Sequence, residues 1–194
     1  MQSDCTSASF EGSSFFRLWQ TEKLMNVFEL TRRMIDIESV TPNEYEMGLF
    51  LESHLGALAA RYGGKVERMP VEEKRFNVLC TFGEPVVTMS THQDTVPPFM
   101  ASREDDTDIW GRGACDVKGI IASMILASER LLAAGVRNFG LLFVVGEERN
   151  SAGAYEASRH PRGSKFLING EPTENRLALG SKDRKSTRLN SSHT

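Results

Sequence analysis

One histidine and a set of carboxylates stand where an α/β protein presents its chemistry. His92 and Asp94 follow a short β-branched run, Pro85-Val86-Val87-Thr88-Met89-Ser90, and are stopped by Pro97-Pro98. Asp116 lies in the glycine-spaced stretch Gly111-Arg112-Gly113-Ala114-Cys115-Asp116-Val117-Lys118-Gly119, just ahead of a long helical pattern. Glu147 and Glu148 follow the apolar run 139–145, and Glu171 follows the shorter run 165–168. In open α/β sheets the carboxyl ends of strands are where ligands bind. An imidazole with a carboxylate two residues on can pair a metal ligand with the group that orients it. Taken singly, each residue has an ordinary reading as a solvated loop or helix cap. Taken together, carboxylates gathered in one crevice raise one another's pKa unless a cation neutralises them. Imidazole plus carboxylates without thiolates suits Zn²⁺, Mn²⁺ or Co²⁺. Adjacent Glu147 and Glu148 point to opposite sides if extended, so one can hold metal while the other faces the substrate water.

The elements that must position these groups alternate between strand and helix. Met25 opens a helical pattern carried by Val27, Phe28, Leu30, Met34, Ile35 and Ile37, and Ser39-Val40-Thr41-Pro42 ends it, because the residue before a proline avoids the α region. Asn43 is placed to cap a second helix with Met47, Phe50, Leu51, Leu55 and Leu58 as its stripe, ending at Gly63-Gly64. His54, within it, reads as a surface or boundary residue. Strands follow over 65–70 and 76–82. The glycines around Arg112 match neither a Walker loop nor a dinucleotide fingerprint, and instead let the backbone turn and present Asp116. The helix after Gly119 packs through Ile121, Ile125, Leu131 and Leu132. Residues 139–145 read as a buried, parallel-type strand, and a further helix starts near Ser151. This alternation predicts an α/β fold with a partly parallel sheet.

The chain has 194 residues, a formal net charge of −3 and 25% charged residues. That balance gives no reason to expect nucleic acid or an anionic membrane as partner. Cys5, Cys80 and Cys115 are odd in number and widely spaced, which argues against a disulfide framework and for a reducing, cytoplasmic setting. No apolar run approaches the length of a membrane span.

His92-Gln93-Asp94-Thr95-Val96-Pro97, the 111–119 stretch, Gly146-Glu147-Glu148 and Gly170-Glu171-Pro172-Thr173 resemble, in order and spacing, the signatures of the M20 metallopeptidase family. The likeness runs over residues 39–173. That family includes acetylornithine deacetylase, succinyl-diaminopimelate desuccinylase, aminoacylase and glutamate carboxypeptidases, and the Gly-Glu-Pro-Thr form leans to the deacetylase and desuccinylase side. The resemblance implies a Zn-peptidase-like three-layer α/β/α catalytic domain with a mixed, largely parallel sheet. It implies two divalent metals, Zn²⁺ first, with Co²⁺ or Mn²⁺ as alternatives. His92 would bind one metal with Asp94 holding its imidazole. Asp116, followed by a cis peptide bond, would bridge both. Glu148 would bind one metal and Glu171 the other, and Glu147 would be the general base. The implied reaction removes an acetyl or succinyl group from an amino acid. The alternatives are a metallocarboxypeptidase or dipeptidase acting on a small peptide, and a non-catalytic binding homologue. Arg112 and Lys118 are expected to structure the loop, and Cys115 to be a small packing residue.

The resemblance also implies a later histidine that completes the second metal's shell, and a lid domain that makes the parent protein a homodimer. Neither is found in these residues, and His160 and His193 do not stand where that ligand belongs. The expectation is therefore a partial catalytic domain over 25–182, truncated before the lid, inactive alone, and with a sheet edge and apolar surface left uncovered. Met25 is expected to be the natural start, with 1–24 an extension or a genuine tail. Residues 183–193 read in one frame as a translated sequencing-library adapter, making 183–194 a non-native tail.

Overall fold

The computed structural model describes residues 25–178, so the extension at 1–24 and the adapter-like tail at 183–194 lie outside the described residues. Helix α1 (Val27–Ile35) opens with a capping box: the Asn26 side chain accepts the Glu29 amide, and the Glu29 carboxylate accepts the Asn26 amide. Two donors that a helix start leaves unpaired are thereby satisfied. Leu30, Met34 and Ile35 are buried, but Phe28, expected in the same stripe, is 64% exposed. It shares Ile35's side of the helix two turns earlier, where α1 stands over the acidic loop around residues 104–108 instead of the core.

Helix α2 (Tyr45–Tyr62) begins at Glu44 and not at the expected Asn43 cap. Glu44 makes no side-chain cap bond, because its carboxylate is committed to Arg75. Gly63, at φ 74°, ends the helix in the left-handed conformation that glycine adopts without steric cost. Met47, Leu51, Leu55 and Leu58 are buried, while Phe50 stays half-buried and stacks on His54.

The hairpin β1 (Gly64–Glu72) and β2 (Arg75–Phe82) leads to β3 (Val87–His92), and a two-stranded ribbon, β4 (Arg103–Glu104) and β5 (Ile109–Trp110), follows. An irregular turn, Ala114–Lys118, runs into α3 (Gly119–Ala133), and then come β6 (Phe139–Val144), α4 (Ala152–Arg159) and β7 (Phe166–Asn169). The main sheet has the order β1-β2-β6-β3-β7. β6 and β7 flank β3 in parallel, while β1/β2 and β2/β6 are antiparallel. The sheet is mixed as expected, but its parallel part is confined to β6, β3 and β7.

Val78, Cys80 and Phe82 of β2 stand opposite Phe143, Leu141 and Phe139 of β6, and this face packs against α1, α2 and α3. Helix α4 covers the other face, near Leu79 and Leu142, which makes three layers. On α3, Ile121, Met124, Ile125 and Leu132 are buried, whereas Leu131 is 37% exposed. Leu131 is one residue, about 100°, round from Leu132 and falls off the stripe. β7 ends the sheet, with Phe166, Leu167 and Ile168 all exposed. No helix among the described residues is long and apolar enough to cross a membrane.

Arg75 and Glu44 form a buried two-pronged ion pair, at 2.8 and 2.6 Å, and Arg75 also reaches Glu72 at 2.8 Å. These carboxylates hold the Arg75 guanidinium pKa above its ordinary value against the effect of burial. Removing one member leaves a buried charge without its partner, which costs about 3–5 kcal/mol. Arg75→Ala is therefore expected to lower the unfolding free energy by about that amount, read from urea melts, while Lys65→Ala, at an exposed pair 3.7 Å from Glu67, changes it by less than about 1 kcal/mol.

Candidate metal centre

His92 is the last residue of β3, and the Gln93 amide still bonds the Val144 carbonyl of β6 at 2.8 Å before the chain turns away. The ring is buried and its two nitrogens face different partners. Nδ1 lies 3.0 Å from the carbonyl oxygen of Asp94; Nε2 lies 3.0 Å from Asp116 Oδ1 and 3.9 Å from Glu171 Oε2. A carbonyl only accepts, so Nδ1 must carry its hydrogen. Nε2 is then the nitrogen that offers a lone pair once its own proton leaves.

The sequence placed the orienting role on the Asp94 carboxylate, and the geometry divides that work. The carboxylate lies 3.4 Å from Nδ1, farther than the carbonyl of the same residue. It is occupied elsewhere: it accepts the Thr41 hydroxyl at 2.6 Å, the Glu147 amide at 3.1 Å and the Glu148 amide at 3.2 Å. Burial alone would raise its pKa, but the His92 ring, Thr41 and the Glu147 amide outweigh burial and hold it below the ordinary value. Thr41 was read from the sequence only as part of a helix stop. Its one signal is a hydroxyl residue before Pro42, too common a pattern to single it out.

Asp116 sits in the Ala114–Lys118 turn, and the Asp116–Val117 peptide is cis, as the resemblance implied. Lys118 is buried and donates from Nζ to the Ile37 carbonyl at 2.8 Å. Burial pushes its pKa down to about 8, against the pull of Asp36. Arg112 donates to the Pro98 and Pro97 carbonyls at 3.0 and 3.4 Å, so both basic residues brace the loop. Cys115 is exposed and is not the packing residue expected.

Glu148 follows β6, and one of its carboxylate oxygens, with donor atoms of His92 and Asp116, forms a cluster whose members lie within 4.8 Å of one another. Glu171 is delivered by the end of β7, where the Gly170 amide bonds the Ser90 carbonyl at 2.8 Å and the Thr91 hydroxyl donates to the Gly170 carbonyl at 2.7 Å. Glu147 is exposed at the rim. The six residues singled out in the sequence thus meet at one end of the parallel strands.

The charge at this spot is unbalanced. Burial, then Asp116, raise the Glu148 pKa; burial, with Glu147 and Asp116, raises that of Glu171 despite His92. Burial would lower the His92 pKa, yet Asp94, Glu171 and Asp116 prevail and hold it at about 9. A buried imidazole and converging carboxylates, with Nε2 aimed at the acidic groups, fit a divalent ion.

Residues 88–182 match the model for peptidase family M20/M25/M40. The chain belongs to the M20 family. A probable carboxypeptidase of Aspergillus clavatus is 34% identical over 91% of the M20 chain and 46% of its own length. A tripeptidase from Staphylococcus aureus superposes with a TM-score of 0.63 at 21% identity, over 74% of this chain and 42% of that one. Human carnosine dipeptidase 1 gives 0.60 at 19%, over 75% and 38%. The M20 chain therefore spans under half the length of the curated relative and of these solved structures.

Asp94→Asn replaces one acceptor oxygen by a donor that must face an N–H or a hydroxyl. Groups that orient metal ligands are worth about 10–100-fold in metal affinity. Asp94→Asn is expected to weaken Zn²⁺ binding by that factor, measured by competition with a chromophoric chelator, whereas Asp106→Asn, in the exposed acidic loop, leaves it unchanged.

Proposed function

We propose that the protein is a metal-dependent hydrolase of amide bonds, with this chain supplying one wall of its active site. The observation that carries the reading is the convergence of Asp116 Oδ1 and Glu171 Oε2 on Nε2 of one buried imidazole, with a Glu148 oxygen in the same cluster. In this reading His92, Asp116, Glu148 and Glu171 hold two divalent cations, Zn²⁺ first and Co²⁺ or Mn²⁺ in its place. Asp116, Glu148 and Glu171 would supply the carboxylate oxygens that hold them, and His92 its Nε2. Bound there, the cations would supply Lewis acidity, polarising the scissile carbonyl and lowering the pKa of water from about 15.7 toward 7.

The chain's own residues do the rest. Nδ1–H of His92 stays on the Asp94 carbonyl and keeps Nε2 turned to the acidic groups. Asp94 grips the Glu147 and Glu148 amides and so sets both glutamates at once. Glu147, exposed at the rim, takes the proton of the attacking water and returns it to the leaving amine. A general base of this kind contributes about 10²–10⁴-fold. Glu147→Gln is therefore expected to lower kcat of the whole protein by that range while leaving metal stoichiometry intact. Loss of metal together with rate would instead make Glu147 a ligand.

Two substrate classes fit. The probable carboxypeptidase at 34% identity favours a small peptide with a free carboxyl terminus. The Gly170-Glu171-Pro172-Thr173 sequence favours an N-acyl amino acid. A panel of dipeptides, their C-terminal amides, and N-acetyl and N-succinyl amino acids separates them. Turnover of free dipeptides but not of acyl amino acids assigns the peptidase, the converse assigns the deacylase, and turnover of neither overturns the hydrolase.

A further inference from the structure

We infer that Asn77 is a positioning residue for the metal centre, acting through the loop that carries Glu147 and Glu148; the inference rests on the metal site proposed above. Asn77 lies on β2, a strand that contributes no candidate ligand, and is fully buried. A buried carboxamide is costly unless both of its ends are bonded. Here its Nδ2 donates to the Gly153 carbonyl at 2.8 Å, and its Oδ1 accepts the Val145 amide at 3.1 Å. Val145 opens the glutamate loop and Gly153 stands in the first turn of α4 that closes it, and the Gly153 amide bonds the Val145 carbonyl at 2.9 Å. One side chain thus ties both ends of the loop to the sheet.

The register explains why a side chain is needed. β2 and β6 pair as far as Val78 opposite Phe143. Beyond that point the Val144 carbonyl of β6 takes the Gln93 amide on the β3 side, and the Asn77 carboxamide bonds the next amide, at Val145, in place of a backbone partner. The approach is close: a Cβ on Gly153 would lie 2.3 Å from Asn77 Oδ1 and 2.6 Å from the Val145 backbone. Two residues earlier on the same side of β2, Arg75 packs against Gly146, where a Cβ would lie 2.8 Å from its guanidinium. The loop is therefore bonded at its tip by Asp94 and near its ends by Asn77, with the Arg75 guanidinium close against Gly146. A valine or leucine would fill the space beside Val78, but only a group that both donates and accepts closes the loop.

The test uses the full chain and Co²⁺ as probe, with affinity, the visible absorption band and amide hydrogen exchange as readouts. Asn77→Ala is expected to weaken Co²⁺ binding roughly 10–100-fold and to alter the band. Asn77→Asp, which can accept from Val145 but cannot donate to Gly153, is expected to do the same. Val78→Ala, a neighbouring core truncation, lowers the melting temperature without moving either metal readout. In the unsubstituted chain, Co²⁺ is expected to slow exchange of the Val145 and Gly153 amides, because coupling between the metal and these bonds is reciprocal. A folded Asn77 variant with unchanged affinity and band overturns the inference. So does unchanged exchange at Val145 and Gly153 when Co²⁺ binds, a readout that survives if both Asn77 variants fail to fold. Failure of the unsubstituted chain to take up Co²⁺ overturns the metal site itself, and is recognised by occurring without any substitution.

Discussion

The Asp94 carboxylate is buried where three segments of the chain meet. Thr41 lies 53 residues before it and Glu147 53 residues after it, yet the hydroxyl of one and the amide of the other bond its two oxygens. A buried carboxylate survives only if its oxygens are occupied by donors. Asp94 therefore requires the segment after α1, the end of β3 and the loop after β6 to converge. Its backbone carbonyl sets the tautomer of His92. One residue couples the fold to the site, and displacing any of the three segments leaves a buried charge short of donors.

The sheet makes that convergence possible. Placing β6 between β2 and β3 brings Glu147 and Glu148 beside His92, and the parallel run of β6, β3 and β7 puts three strand ends on one edge. The antiparallel side serves a different purpose. β2 brings no ligand, but Arg75 and Asn77 brace the glutamate loop from beneath. The Glu44–Arg75 pair extends this bracing to the start of α2. Arg75 and Asn77, both buried polar residues of β2, thus lie against the segment that carries Glu147 and Glu148.

Some features were not readable from the chain alone. Asn77 interrupts an otherwise apolar strand, Phe76-Asn77-Val78-Leu79-Cys80, and that interruption was the available signal, but nothing local says that its partners are Val145 and Gly153. Asn43 was expected to cap α2, but the helix begins at Glu44, whose carboxylate is set by Arg75, 31 residues away. Phe28 and Leu131 fitted helical stripes and proved exposed, because a stripe has edges and only the neighbouring elements decide how wide it is buried.

By itself the sequence determined the elements of the main sheet and its helices, though not the β4/β5 ribbon, and the identities of the groups at their ends: periodicity and turn chemistry are local, and His92, Asp94, Asp116, Glu147, Glu148 and Glu171 could be named from position alone. Tertiary structure decided the strand order, the mixed pairing, the division of labour within Asp94 and the bracing from β2. The carboxylate bonds of Asp94 and the bracing from β2 depend on contacts between residues 53 to 76 positions apart, which no window along the chain contains. Whether a carboxylate becomes part of a cation site is a property of the charges around it, and only folding assembles them.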